Sequence, residues 1–262
     1  MRRMIPTLKA AAIAAVLAVA PSAINGAARA QDHTIHIPDT KFSFEGIFGT
    51  YDRASAQRGF QVYKEVCSAC HSMNQIYYRH LRGLGFTEGQ VQALASQAQV
   101  QDGPNDNGEM FERPARPSDR FRRPFPNDAA ARAANNGALP PDLSVMVKAR
   151  EGGADYIHAL LTGYSDPPEG VTVMEGMHYN KYFPGHQIAM APPLNSDGQV
   201  TYADGTNATI DQMATDVSTF LAWAAEPELE QRRAMGVRMI IFLAILGGLV
   251  YAVKRKVWAE LH

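Results

Sequence analysis

The sequence predicts a mostly α-helical domain with long loops, followed by one C-terminal transmembrane helix. Apolar residues recur at helical spacing in separate segments, and stretches rich in Pro and Gly lie between these segments. Almost no segment alternates apolar with polar residues as a half-buried strand does, and an uncharged apolar run lies near the C-terminus. The chain has 262 residues, of which 46% are hydrophobic and 19% charged. This composition excludes a disordered chain, and the length is sufficient for a hydrophobic core.

Residues 1–30 have the pattern of a secretory signal peptide. Two arginines within 1–3 precede an apolar run over 10–20, and an Ala-Arg-Ala site at 28–30 ends the segment. The apolar run is too short to cross a bilayer comfortably. We therefore expect cleavage before Gln31, and an uncleaved anchor is the alternative.

Residues 228–262 have the pattern of a membrane anchor with a short tail. The run 239–253 is uncharged, and its extension back to 234 gives about twenty residues, which is the length that crosses a bilayer. Three cations at 254–256 follow directly, as they do on the cytoplasmic side of a span. A buried core helix is the alternative, but few core helices end in three cations. Together with the signal peptide, this pattern predicts that residues 31–227 are exported and that the tail stays in the cytoplasm.

The exported part of the chain is acidic. Residues 31–227 hold 15 basic and 23 acidic residues, a net charge of −8. A protein that binds nucleic acid normally has a basic excess, so the charge and the export signal exclude that class. An acidic surface attracts a basic partner and speeds their encounter at low salt.

The first two helices of the exported domain are predicted from their capping residues. Asp52 can cap a helix over 52–66, and Thr87 can cap one over 87–98. Residues 101–127 are dense in Pro, Gly, Asp, Asn and Arg, and we expect them to form an irregular loop.

Two more helices are expected in the middle of the domain. Pro140-Pro141-Asp142 is predicted to open a helix that runs through about Arg150. Apolar residues at helical spacing predict another helix over 154–162, with a glycine directly after it as a stop signal. Residues 164–208 contain many prolines and are again expected to be rich in loops.

The last helix of the exported domain has the clearest pattern. Thr209 and Gln212 have capping-box spacing, and Pro227 is predicted to end the helix. An apolar stripe at helical spacing is expected to face the core, and its members are Met213, Val217, Phe220, Leu221 and Ala224.

Both cysteines of the chain lie in one Cys-x-x-Cys-His motif, Cys67-Ser-Ala-Cys70-His71. This motif is typical of c-type haem attachment, in which two thiols add to the vinyl groups of one porphyrin and the histidine binds the iron. Two alternatives fit less well. A thioredoxin-like motif needs a βαβ setting, and a zinc site needs a fourth ligand, which none of the other histidines supplies at a paired spacing.

The second axial ligand of the iron decides which chemistry is available. A thioether sulfur closes the iron to small ligands and raises its reduction potential, which suits electron transfer. Met190 lies in Ile-Ala-Met-Ala-Pro-Pro, where two prolines stiffen the loop, so it is the first candidate. Met174 and Met177 remain alternatives. Met213 lies on the stripe of its helix and is expected to be a core residue.

Six blocks of the sequence resemble the cytochrome c1 family, the haem-bearing subunit of the cytochrome bc1 complex. They are spread in order along 66–227, and a signal peptide and a tail anchor flank them in the same layout. A Cys-x-x-Cys-His motif alone is common to many cytochromes, whereas the ordered set is specific. The blocks are VCSACHSM at 66–73 followed by YRHL at 78–81, AARAANNGALPPDLS at 130–144, LLTGY at 160–164 with DPP at 166–168, YFPG at 182–185, IAMAPP at 188–193 and FLAWAAEP at 220–227.

This resemblance implies a c-type cytochrome domain and assigns its site. Cys67 and Cys70 would hold haem c covalently, one per chain, and His71 and Met190 would ligate the iron. Arg132 would pair with a haem propionate, since a guanidinium can hold a carboxylate with two hydrogen bonds.

The resemblance also implies a role. The chain would be no enzyme on its own but the electron-transfer subunit of a respiratory quinol–cytochrome c reductase. Its haem would accept an electron from the Rieske iron–sulfur protein and pass it to a soluble or anchored cytochrome c. Cytochrome b would be a further partner in a dimeric complex. The protein would sit in the inner membrane by a single span, with the haem domain in the periplasm and the C-terminus in the cytoplasm.

Two other functions stay open at this point. The chain could be the anchored cytochrome of another respiratory enzyme, which only its partners would reveal. It could also be a haem peroxidase or gas sensor, which would need an open position on the iron.

Overall fold

The structure is a computed structural model that describes residues 35–259. The predicted signal peptide and its cleavage before Gln31 lie outside the described residues. The domain is mostly helical, as predicted, and its α-helices are α1 (Arg53–Glu65), α2 (Glu88–Ser96), α3 (Asp128–Ala134), α4 (Gly153–Thr162), α5 (Ile210–Ala225) and α6 (Leu229–Trp258). Short 3₁₀ turns lie at Cys67–Ala69, Tyr78–Leu84 and Met146–Lys148.

Two small antiparallel hairpins complete the described part of the chain. Strand β1 (Gln99–Asp102) pairs with β2 (Phe111–Pro114), and β3 (His178–Tyr179) pairs with β4 (Gln187–Ile188). Loops make up most of the remainder, as the fold class predicted.

Helices α1 and α5 pack against each other at the centre of the domain. Their approach is close because Gly59 faces α5: a Cβ there would lie 1.9 Å from the carbonyl oxygen of Asp216 and 2.8 Å from the Cβ of Phe220. Aromatic rings fill the core around this crossing. Those with centroids within 6 Å of one another include Phe60, Tyr63, Phe121, Phe220 and Trp223.

The close approach predicts that Gly59→Ala destabilises the domain by about 1–3 kcal/mol, because the methyl group would push two packed helices apart. Gly89→Ala in α2 is the matched control, since a Cβ there meets no atom within 4 Å. This control should stabilise slightly, by about 0.5–1 kcal/mol, through lower entropy of the unfolded chain. Free energies of unfolding measured by chemical denaturation would test both signs, and a neutral Gly59→Ala would contradict the packing.

A buried ion pair lies beside the same crossing. The carboxylate of Asp216 is fully buried and accepts hydrogen bonds from the guanidinium of Arg58, the hydroxyl of Ser55 and the amide of Gln212, at 2.7–3.0 Å. Arg58 also contacts Asp204, whose side chain is 44% exposed, at 2.9 Å. Arg58 therefore holds one carboxylate in the core and one at the surface.

This arrangement predicts unequal effects for the two carboxylates. We expect Asp216→Ala to cost about 3–5 kcal/mol, because it leaves buried donors without an acceptor. The exposed partner should matter far less, with a cost below about 1 kcal/mol for Asp204→Ala. Denaturation midpoints of the two variants would check this, and equal losses would contradict the role of burial.

Three predicted helix starts are confirmed. The side chain of Asp52 accepts from the backbone N–H groups of Ala54 and Ser55 at the start of α1. Thr87 caps α2 and Thr209 caps α5, in each case by accepting from the backbone N–H three residues later. The expected capping box at α5 is only half formed, because the amide of Gln212 turns to Asp216. The helix expected over 154–162 is confirmed as α4.

The prediction for 101–127 was wrong in part. The hairpin of β1 and β2 occupies its first half, although the strands do not alternate apolar with polar residues. Charged contacts hold this hairpin: Arg113 on β2 pairs with Asp102 on β1 and with Asp119 in the following turn. A surface hairpin held in this way has no period-two hydrophobic signal.

The helix expected over 140–150 was also wrong. Only a 3₁₀ turn, Met146–Lys148, forms there. The backbone N–H of Leu143 donates instead to the carbonyl of Ser72, at 2.8 Å, and the N–H of Ser144 donates to the carboxylate of Asp142, at 2.9 Å. The first bond ties this segment to the residues that follow His71, a distant contact that local sequence does not show.

Helix α6 confirms the predicted apolar C-terminal helix. It contains 30 residues and is long and apolar enough to cross a membrane. The described part of the protein buries none of its most apolar stretch. The expected span of about 234–253 lies inside it. Near its end, the ammonium of Lys254 lies 4.9 Å from the centre of the Trp258 ring.

Candidate haem-binding site

The Cys-x-x-Cys-His motif lies in the turn that directly follows α1. The backbone N–H groups of Cys70 and His71 both donate to the carbonyl of Cys67, at 3.1 and 2.9 Å. Both thiols are free; Cys67 is half-buried against the core and Cys70 is exposed. Desolvation raises the pKa of the Cys67 thiol to about 12. The motif is thus a compact turn on the end of a core helix.

The ring of His71 is held in one orientation. Its Nδ1 lies 2.8 Å from the carbonyl oxygen of Pro141. Because a carbonyl can only accept, Nδ1 carries the proton and Nε2 keeps a lone pair for a metal. Burial lowers the pKa of His71, which favours the neutral imidazole that metal binding needs.

Asp142 fixes the segment that carries this carbonyl. Its carboxylate accepts from the hydroxyl of Ser72 at 2.8 Å, from the backbone N–H of Asn74 at 2.7 Å and from that of Ser144 at 2.9 Å. Burial by itself would raise the pKa of Asp142, but these hydrogen bonds outweigh it and hold the pKa below its usual value. The ionised carboxylate therefore ties the Pro141 segment to the residues that follow His71.

Met190 lies just after β4 and is half-buried. Its carbonyl accepts from the hydroxyl of Tyr164, at 3.0 Å. Burial raises the pKa of Tyr164 above its ordinary value, so the hydroxyl stays a donor. Tyr164 also forms a β-bridge with Asn180, whose buried side chain donates to the carbonyl of Leu160 in α4, at 2.8 Å. The Met190 loop is thus fastened to the end of α4.

The other methionines differ in exposure. Met174 is 62% exposed and Met177 is half-buried. Met213 is fully buried in the α5 core, which confirms the prediction that it is a packing residue.

The structure brings Cys67, Cys70 and His71 together in one turn. Met190 lies on a different segment, and none of the hydrogen bonds within residues 35–259 joins that segment to the turn. Arg132 lies on α3, is exposed, and donates from Nη1 to the carbonyl of Gly137, at 3.1 Å. Within the described residues, this bond ties Arg132 to the end of its own helix.

Sequence reasoning missed the residues that position the site, which are Pro141, Asp142 and Tyr164. One signal was available for the first two. Two consecutive prolines impose an extended backbone on the first of them, so a Pro-Pro-Asp segment is as consistent with an extended stretch as with a helix start. No local signal connects Tyr164 to Met190, because the bond joins two loops.

Comparison with known proteins points to one family. The model of the Cytochrome C1 family matches residues 42–261. Cytochrome c1 of Rhodospirillum rubrum is 45% identical over an alignment of 273 positions, which spans 98% of this chain and 99% of that protein. The mitochondrial cytochrome c1-2 heme protein of Solanum tuberosum is 54% identical over 214 residues, which cover 82% of each chain.

A third relative is longer. Cytochrome b/c1 of Bradyrhizobium diazoefficiens is 50% identical over an alignment of 257 positions, and the match covers 90% of this chain but 37% of that protein. The family model and the first two relatives each cover most of the chain, so the resemblance predicted from the sequence blocks is confirmed. This chain belongs to the cytochrome c1 family, the haem-bearing subunit of the cytochrome bc1 complex.

Proposed function

We propose that this chain takes an electron from a Rieske iron–sulfur protein and passes it to cytochrome c, within a quinol–cytochrome c reductase. One observation carries the proposal: the imidazole of His71 is fixed by Pro141 in the tautomer that leaves Nε2 for iron, directly after two cysteines. A bound haem c would supply reversible one-electron chemistry at iron. The donor set of two thiols, one oriented imidazole and one half-buried thioether fits that group.

The residues of the chain have separate tasks in this proposal. Cys67 and Cys70 would hold the cofactor covalently, which would prevent its loss from an exported protein. His71 and Met190 would hold its iron and would leave it closed to oxygen, peroxide and carbon monoxide. The chain needs no acid or base for this task, because its contributions are position, axial ligation and a docking surface.

Arg132 is proposed to pair with a haem propionate. Its guanidinium is exposed and donates to the carbonyl of Gly137. A hydrogen bond to the propionate would form beside this bond or replace it. A charged acceptor makes a stronger hydrogen bond to a guanidinium than a neutral carbonyl does, which favours the exchange.

The acidic domain is proposed to dock a basic cytochrome c. Residues 31–227 have a net charge of −8. In and near the hairpin, Asp102 is already paired with Arg113, whereas four other carboxylates of this region are exposed. These four are Glu88, Asp106, Glu109 and Glu112. Such a surface attracts a basic protein and raises its association rate at low salt.

The placement in the membrane completes the proposal. Residues 1–30 would direct export, 31–227 would form the periplasmic haem domain, and α6 would cross the inner membrane once with the C-terminus in the cytoplasm. Cytochrome b and lipid would surround α6, and the complex would be a dimer.

Optical spectra of the purified full-length chain would test this proposal. We expect a low-spin c-type spectrum with a far-red thioether–ferric band, and no change when carbon monoxide is added to the reduced protein. Cytochrome b and a Rieske protein should co-purify with it. A spectrum that is high-spin or sensitive to carbon monoxide would instead indicate an open iron and ligand chemistry. A chain that always purifies alone would contradict the assembly.

A further inference from the structure

A short loop over 43–50 exposes two large apolar side chains. Phe48 is 83% exposed and Ile47 is 72% exposed, the highest values among the large apolar residues of the described chain outside α6. Adjacent exposed apolar side chains of this size indicate a contact surface when they are held in place.

The loop is held in a tight and specific shape. The backbone N–H of Thr50 donates to the carbonyl of Ser43, at 3.1 Å, and closes its base. Gly49 lies so close to the backbone that a Cβ would be 2.0 Å from the carbonyl oxygen of Glu45. The apolar pair therefore stands at the tip of a closed loop.

The base of this loop is fastened to the first turns of α6. Arg233 donates from Nη1 to the carbonyls of Phe44 and Gly49, at 2.8 and 2.7 Å. Glu230, nearly one turn earlier, accepts from the backbone N–H of Tyr51 at 2.8 Å. The loop and the membrane helix thus form one joined structure.

These contacts place the base of the loop beside the start of the apolar run of α6. The hydroxyl of Tyr51 donates to the carbonyls of Ala222 and Glu226, and its backbone N–H donates to the carboxylate of Glu230. The carbonyl of Gly49 accepts from the guanidinium of Arg233. As the chain is followed back from 51 to 49, the contacts advance along the protein toward the apolar run of α6.

The level of the loop matches the surface of a bilayer. The span expected over about 234–253 begins directly after Arg233, so the residue that holds the base of the loop lies at the edge of the hydrocarbon core. The polar headgroup layer on each side of a bilayer is roughly 5–8 Å thick. The loop that Arg233 holds therefore lies at the level of this layer.

We propose that the loop over 43–50 is a second membrane contact, in which Ile47 and Phe48 enter the interfacial layer of the lipid bilayer beside α6. The transfer of two apolar side chains from water to this layer is favourable. Because the loop is joined to α6 through Arg233 and Glu230, its contact with lipid would limit the tilt and rotation of the haem domain about the helix.

A photoreactive residue would test the proposal in native membranes. The full-length chain would carry p-benzoylphenylalanine at position 48, and after illumination the adducts would be identified by mass spectrometry. Position 110 is the control for an exposed apolar residue elsewhere, since Met110 is 59% exposed on the loop between β1 and β2. Positions 242 and 251 are controls for lipid contact, because Phe242 and Tyr251 lie on opposite sides of α6. Unchanged covalent haem content would show that each variant is folded.

We expect phospholipid adducts at position 48 in a yield similar to the better of the two α6 controls and several-fold above position 110. A polypeptide adduct at 48 would overturn the proposal and assign this tip to a protein partner. A yield no higher than at position 110 would overturn it too, since the tip would then lie in water. The absence of lipid adducts at both α6 positions would refute the membrane span and this contact together, whereas the spectrum of the haem domain would be unaffected.

Discussion

A chain in which Cys67 is replaced by alanine or serine is expected to lose most of its covalent haem. Cys67 is one of two thiols in the turn after α1, and a single remaining thioether would hold the cofactor by one bond. Haem staining of the denatured protein would measure the loss. We expect the same direction for Cys70→Ala, since Cys70 offers the second bond.

The two replacements at position 67 separate attachment from folding. Cys67 packs against the core, so a serine there would place a hydroxyl near apolar atoms, whereas alanine keeps an apolar surface. If both variants lose haem equally, the thiol is the cause. Ser68→Ala is the matched control inside the motif, because the Ser68 hydroxyl only bonds the carbonyl of Lys64, at 2.7 Å. Normal covalent haem in Cys67→Ala would refute the attachment proposal.

The helices that the sequence predicted well are those with a local start signal. Asp52, Thr87 and Thr209 each cap a helix by bonding backbone N–H groups two or three residues later. Such bonds depend on spacing along the chain and on no distant residue, so one sequence suffices to find them. The apolar run of α6 is a signal of the same local kind.

The parts that the sequence did not predict depend on distant contacts. The bond that orients His71 joins residues 70 positions apart, and Asp142 reaches Ser72 over the same distance. These contacts between distant residues hold the segment at 141–144, and only a 3₁₀ turn follows it. No periodic pattern near Pro141 contains this information.

The candidate site also has one part that local sequence predicts and one part that depends on distant contacts. The Cys-x-x-Cys-His turn is recognisable because its chemistry lies within five consecutive residues. Met190 is more than one hundred positions away, and local sequence ranked it only ahead of Met174 and Met177. The family resemblance selected it, and the structure adds that its loop is fastened to α4 through Tyr164.

The second large effect is expected for Met190→Leu, which should keep covalent haem but lower its reduction potential. A thioether ligand stabilises reduced iron, and axial ligands set haem potentials over a range of about 0.8 V. Loss of the sulfur should therefore lower the potential by a substantial part of that range. The far-red band should disappear, and the reduced protein should bind carbon monoxide. Redox titration and spectra of the same sample would measure all three.

Leucine is the informative replacement because it is nearly the same size as methionine. The loop should keep its fold, since the bond from Tyr164 goes to the backbone carbonyl of residue 190 and not to its side chain. Any change in potential then reports the sulfur itself. Met174→Leu and Met177→Leu are the matched controls and should leave the potential unchanged. If Met177→Leu lowers the potential while Met190→Leu does not, the sixth ligand is Met177, and the function of the Met190 loop must be sought elsewhere.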